Sequence, residues 1–225
     1  MTTAVSLALL IPVGYLLGSI PFGLVVGLLK GVDPRQAGSG NIGATNIGRL
    51  LGLRYFWLVF VLDLLKSLLP MLFAAWLVSR NGGSFTHPVA GVEIYLLWLG
   101  VGLAAILGHM FSPFLGFKGG KGVATSAGVL LGLFPYYTFP GLLSIGIFII
   151  VFFIWRYISL ASVIGVVCFP VIYLICGLVN HWPIFSQQLP LLIAAVLVAL
   201  LIVLKHRTNL VRLRAGTEHR LGRPG

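Results

Sequence analysis

Three short stretches hold most of the residues able to do polar chemistry in this chain. The first is Gly38-Ser39-Gly40-Asn41-Ile42-Gly43-Ala44-Thr45-Asn46-Ile47-Gly48-Arg49. Its glycines free the backbone to turn its N–H groups on a ligand, and successive N–H groups make an anion-binding concavity. Ser39, Asn41, Thr45 and Asn46 add neutral donors, and Arg49 adds a planar fork suited to phosphate. No carboxylate lies between Asp33 and Asp63 to repel an anion. The stretch reads as a phosphate cradle, against the plainer reading of a flexible loop between two membrane helices. The second stretch, Lys118-Gly119-Gly120-Lys121-Gly122, combines two cations with a mobile backbone just before an apolar run. A helix starting there would aim its N-terminal N–H groups and positive dipole end at an anion. It is not a Walker A loop, because Gly122 stands where Ser or Thr is needed. A loop that is basic only for membrane topology is the alternative. The third stretch, Lys205–Glu218, carries His206, Asn209, Arg212 and Glu218. It could rest on the membrane surface as an amphipathic helix through Leu210 and Leu213, but Asn209 and Glu218 are not what a simple anchor needs.

What these stretches lack narrows the chemistry. No Cys or His pair on the face that carries these stretches has metal-ligand spacing, so no zinc site is expected there and no metal ligand is assigned. Five residues after His87, His109, His181, His206 and His219 stand Val92, Phe114, Ser186, Val211 and Pro224, so there is no H-x-x-x-x-D acyltransferase motif. The acid nearest these groups is Glu218, which makes a Ser-His-Asp triad hard to assemble. Phosphate binders without strong bases suit a substrate that arrives already activated.

The elements that must position these groups are membrane helices. Hydrophobic residues make up 59% of the 225, charged residues only 8%, and the mean hydropathy is +1.07. A soluble domain carries about 25% charged residues, so a single all-α polytopic membrane domain over residues 1–225 is expected. Apolar runs cover about residues 4–29, 53–79, 92–108, 122–136, 138–155, 158–178 and 189–204, which predicts about seven spans. The first is read as a retained helix, interrupted at Gly18–Gly23 by either a kink or a break that lines a site. Asp63 and Lys66, at i and i+3 in the second run, are read as a structural ion pair, with a direct substrate contact by Lys66 as the alternative. Arg80 and His87 mark the next loop, and several tryptophans sit near run ends, where interfacial belts lie. Cys168 and Cys176 are too far apart along one helix for a disulfide. The net charge of +11 is spread over loops and tail rather than forming a nucleic-acid surface. With seven spans, every Lys and Arg except Lys66 and Arg80 falls on one side, placing the N-terminus outside and the C-terminus in the cytoplasm.

In order and in spacing, S-G-N-I-G-A-T-N-x-x-R (Ser39–Arg49), G-H-x-F-S-x-F-x-x-F-K-G-G-K-G-V-A-T-S (Gly108–Ser126) and H-R-x-N-x-x-R-L-x-x-G-x-E (His206–Glu218) closely resemble the PlsY family. These are bacterial acyl-phosphate-dependent glycerol-3-phosphate acyltransferases of the cytoplasmic membrane. The resemblance runs from Gly14 to about Arg220 and implies acyl transfer from acyl phosphate to the 1-hydroxyl of sn-glycerol 3-phosphate. It implies no cofactor, no nucleic acid, membrane lipid as surroundings, a monomer as working unit, and a site on the cytoplasmic face. Ser39, Arg49, Lys121, His206 and Asn209 are the expected catalytic set. The donor phosphate is expected on Ser39, Gly40, Asn41, Gly43 and Thr45, assisted by Asn46, with Arg49, Lys118, Gly119, Gly120 and Lys121 completing the phosphate sites. His109, Thr125, Ser126, Arg212 and Glu218 are expected to support them. The proton acceptor is either a substrate phosphate oxygen or His206. A small anion transporter is the rival reading, weakened by the absence of an internal repeat.

Overall fold

The computed structural model describes residues 2–80 and 92–220, and all regular structure among them is helical. His87 and Leu221–Gly225 lie outside the described residues. Contacts cluster the chain into two compact units, Met1–Leu133 and Phe134–Gly225.

In the first unit, α1 (Thr3–Ser19) ends at Ile20–Pro21 and α2 (Phe22–Leu29) restarts the same apolar run. A residue before proline is pushed out of the helical region, and Ile20 is extended at φ −60° and ψ 118°. The cradle loop leads to α3 (Ala44–Leu51) and then to α4 (Leu53–Arg80). Val26, Ala44, Ile47 and Val59 form a buried apolar cluster that ties α3 to α2 and α4. α5 (Val92–Met110) packs along α1 through small residues. A Cβ on Gly18 would meet the Ala105 carbonyl oxygen at 2.2 Å, so the helices touch backbone to backbone there. Tyr15 Oη donates to the Phe111 carbonyl at 2.8 Å and Ser112 Oγ to the Ser19 carbonyl at 2.7 Å, locking the end of α5 to α1. A 3-10 turn (Pro113–Leu115) and the glycine-lysine loop then enter α6 (Val123–Gly132).

The second unit holds α7 (Thr138–Trp155), α8 (Ile158–Val179), α9 (Leu189–Lys205) and the short α10 (Arg207–Arg214). Ser144 Oγ donates to the Gly165 carbonyl at 2.6 Å and Tyr173 Oη to Gln188 Oε1 at 2.8 Å. Tyr137 Oη donates to the Leu191 carbonyl. Large apolar side chains such as Ile150, Phe153 and Ile154 point outward from α7, the arrangement of helices solvated by lipid.

The all-helical membrane architecture expected from composition is what the structure has. Among the described residues, five stretches are long and apolar enough to cross a bilayer: Thr3–Leu29, Leu53–Arg80, Val92–Leu115, Thr138–Trp155 and Ile158–Val179. A sixth arises if α9 and α10, bent by 57°, are one span. The run expected at 122–136 holds a helix of only ten residues. At 1.5 Å per residue that is about 15 Å, half the hydrocarbon thickness of about 30 Å.

Candidate active site

The cradle loop is organised by one buried side chain. Asn46, in the first turn of α3, is 1% exposed. Its Oδ1 accepts the Ser39 N–H at 2.8 Å, and its two Nδ2 protons are shared among the carbonyls of Pro34 (3.1 Å), Ala37 (3.1 Å) and Asn41 (2.8 Å). Gly38 makes this possible: its φ is +61°, and a Cβ there would stand 2.3 Å from Asn46 Oδ1. Asn41 Oδ1 accepts the Gly43 N–H at 2.9 Å, and the Gly40 N–H goes to the Ala37 carbonyl at 3.2 Å. Three of the backbone donors expected to face a phosphate are therefore engaged within the loop. The exposed Ser39 hydroxyl, the half-buried Thr45 and Arg49, and the opening N–H groups of α3 are the groups this frame presents. Asp33, just before the loop, is turned on Arg35 at 2.7 Å, whose hydrogen bonds hold its carboxyl below the ordinary carboxylate range.

The glycine-lysine loop folds back on the end of α5. The Gly119 N–H donates to the Met110 carbonyl at 3.1 Å and the Gly120 N–H to the His109 carbonyl at 3.0 Å. Gly120 is buried against the His109 ring, where a Cβ would lie 2.2 Å from Nε2. Lys118 is exposed and Lys121 half-buried. In the first turn of α6, Ser67 Oγ donates to the Thr125 carbonyl at 2.7 Å. The buried hydroxyls of Thr125 and Ser126 have no hydrogen-bond partner among the described residues.

Beneath this loop lies a buried ion pair. Lys66 Nζ is 2.8 Å from Asp63 Oδ1, and both side chains are almost wholly enclosed. The same Nζ is 2.9 Å from the Ile20 carbonyl, at the break between α1 and α2, and 2.8 Å from His109 Nδ1. The sequence pointed to the pair through its i, i+3 spacing, but not to its meeting with Ile20 and His109.

In the second unit, His206 is buried and its Nδ1 is 2.8 Å from the Ile202 carbonyl, which can only accept. The Nδ1 proton is thus fixed, and a neutral ring would carry its lone pair on Nε2. Glu218 gathers the tail: Oε1 accepts from Asn209 Nδ2 at 2.8 Å and from Ser159 Oγ at 3.1 Å, and Oε2 pairs with Arg212 Nε at 2.8 Å. Burial pushes the Glu218 carboxyl up, but the hydrogen bonds from Arg212, Asn209 and Ser159 outweigh it and hold the group below its ordinary value. Ser159, at the start of α8, had no signal in the sequence. It is one serine among several in apolar runs.

Within the first unit, then, Ser39, Gly40, Asn41, Gly43, Thr45, Asn46 and Arg49 share one loop and helix start. Lys118, Gly119, Gly120, Lys121, Thr125 and Ser126 share another, with His109 below. Within the second, Asn209, Arg212 and Glu218 are joined directly, next to His206.

These features define a multi-pass integral membrane protein whose polar, cation-bearing loops are ordered by buried side chains. A family profile described as glycerol-3-phosphate acyltransferase matches residues 8–216. A glycerol-3-phosphate acyltransferase of Trichlorobacter lovleyi is 45% identical over 205 residues, covering 91% of this chain and 92% of that one. One of Aquifex aeolicus is 43% identical over 208 residues, covering 92% and 94%. A crystal structure of PlsY, an integral membrane glycerol 3-phosphate acyltransferase, in its glycerol 3-phosphate form superposes with a TM-score of 0.76 at 40% identity, covering 96% of each chain. The lysophosphatidic acid form of PlsY gives 0.73 over the same coverage. The chain belongs to the glycerol-3-phosphate acyltransferase family, and it is an acyltransferase enzyme.

Proposed function

We propose that this enzyme transfers a fatty acyl group from acyl phosphate to the 1-hydroxyl of sn-glycerol 3-phosphate, releasing phosphate and 1-acyl-glycerol 3-phosphate (lysophosphatidate). This would be the first acylation of phospholipid synthesis. The observation that carries it is the likeness, at 40% identity over 96% of the chain, to PlsY structures described in glycerol 3-phosphate and lysophosphatidic acid forms. Those two molecules are the acceptor and the acylated product of this reaction.

The residues support the chemistry. An acyl phosphate is a mixed anhydride with a good leaving group, so positioning and charge stabilisation can carry much of the catalysis. In this reading Ser39, Thr45, the opening of α3, Arg49 and Lys121 hold phosphate, with Lys118 further out. His206 and Asn209 orient the acceptor, and Arg212 and Glu218 brace Asn209. Asn46 keeps the cradle in shape rather than touching phosphate, because its amide is committed to four loop groups. The hydroxyl proton passes to a donor phosphate oxygen or to Nε2 of His206. No cofactor is needed. One domain over residues 1–225 carries the activity as a monomer in the bacterial cytoplasmic membrane. The basic loops lie on the cytoplasmic side of a chain that crosses seven times, the count at which every Lys and Arg except Lys66 and Arg80 falls on one side.

The test is phosphate release by the purified protein from palmitoyl phosphate, with and without glycerol 3-phosphate. Release that requires the acceptor and yields lysophosphatidate is the expected result. Release without acceptor would make the protein a hydrolase of acyl phosphates. No release from folded protein would reject acyl phosphate as the donor.

A further inference from the structure

The ion pair of Asp63 and Lys66 is costly to bury, and apolar residues of the same volume would stabilise a helix bundle at least as well. Its surroundings give it another use. Lys66 Nζ has three neighbouring acceptors on separate elements: Asp63 on α4, the Ile20 carbonyl at the helix break, and His109 Nδ1 near the end of α5. The contact to Asp63 is an ion pair set by charge rather than by hydrogen-bond direction. Beside a carboxylate at 2.8 Å the lysine is an ammonium, and an ammonium only donates. His109 Nδ1 must therefore accept, which leaves the ring neutral with its proton on Nε2. Asp63 Oδ1 is 3.7 Å from Nδ1, beyond hydrogen-bond reach, so it does not compete for that nitrogen. Nε2 is the ring atom that faces Gly120, and the His109 carbonyl holds the Gly120 N–H one residue before Lys121.

We infer that Asp63 and Lys66 are positioning residues whose buried pair sets the His109 ring in its Nε2–H form, and that His109 in turn fixes Gly119–Gly120 so that Lys121 is presented to a substrate phosphate. The inference rests on the acyltransferase reading for what Lys121 holds. The ring geometry does not depend on that reading.

The decisive variant is Asp63→Leu with Lys66→Met, which removes both buried charges and leaves neither unpaired. Nitrogen-15 NMR of histidine-labelled protein reads the tautomer, with His109 assigned by loss of its signals in His109→Gln. In the wild type His109 should show a protonated Nε2 and a bare Nδ1 throughout the neutral pH range. In the double variant the tautomers should mix, and kcat/KM should fall about tenfold or more, mainly through KM. A wild-type ring protonated at Nδ1 overturns the inference. So does a double variant with wild-type kcat/KM, which would make the pair ordinary helix packing. Should the double variant fail to fold, His109→Gln and His109→Leu decide the matter together with the wild-type spectrum. Glutamine can accept from Lys66 and still donate toward the loop, so it should retain several-fold more activity than leucine, and equal losses overturn the inference. Absence of turnover in the wild type would reject the proposed reaction and leave the NMR result as an independent reading of the assembly.

Discussion

Asn46→Ala tests whether the cradle is a built frame. The substitution deletes the hydrogen bond accepted from Ser39 N–H and those of the two Nδ2 protons, shared among the carbonyls of Pro34, Ala37 and Asn41. Each is worth about 1 kcal/mol net. The loop is largely exposed, so water can satisfy some of the freed carbonyls, and about 2–3 kcal/mol of loop order should be lost. If only the ordered loop binds substrate, apparent affinity falls with the ordered fraction, which at 1.4 kcal/mol per tenfold is about 30- to 100-fold in kcat/KM. Saturating substrate restores the ordered loop, so kcat should recover to near wild type. Global stability should change little, because the apolar cluster of Val26, Ala44, Ile47 and Val59 is untouched. The assay is phosphate release across a glycerol 3-phosphate titration, alongside thermal unfolding in detergent. A kcat/KM within threefold of wild type would show that these bonds do not organise the loop. A fall in kcat at unchanged KM would make Asn46 a transition-state contact and refute its role as a frame.

Lys121→Ala removes a charge from the site without touching the apolar core. A charge-assisted contact of about 1.5–3 kcal/mol implies a kcat/KM loss of about ten- to hundredfold with the unfolding midpoint unchanged, and normal turnover would reject its role. For Glu218, the folded pKa is lowered, so its stabilisation is present above the ordinary value of 4.5 and is lost as pH falls through the lowered one. The thermal midpoints of wild type and Glu218→Gln should therefore differ most above that value and converge in acid, whereas a constant gap would remove charge from the explanation. Single cysteines at Lys118→Cys and Arg156→Cys, placed in a Cys168→Ala/Cys176→Ala background, test the proposed topology by labelling in sealed vesicles. Both should label from the cytoplasmic side, and labelling from opposite sides would show that the segment around α6 does not cross.

Much of this protein was legible along the chain because its two main signals are local. Hydropathy is summed over neighbouring residues, so the membrane class and most of the helical stretches follow from the order of residues alone. The three polar motifs are each contiguous, and a break such as Ile20–Pro21 is written in two adjacent residues. What required the folded chain are the meetings between distant residues. Lys66 and His109 are 43 positions apart, and Ser159 and Glu218 are 59. Hydropathy says nothing about which helices touch. Asn46 looks like a ligand in the sequence because its amide has two donors and an acceptor. Only the packing of α3 under the loop, with Gly38 closing over its oxygen, commits that amide to the backbone. The end of α6 is hidden from the sequence for a related reason. After Thr125 and Ser126 the residues up to Tyr136 are apolar or glycine, so nothing in their hydropathy marks Gly132 as the end of α6. Burial in protein and burial in lipid demand the same residue types, and only three-dimensional packing separates them.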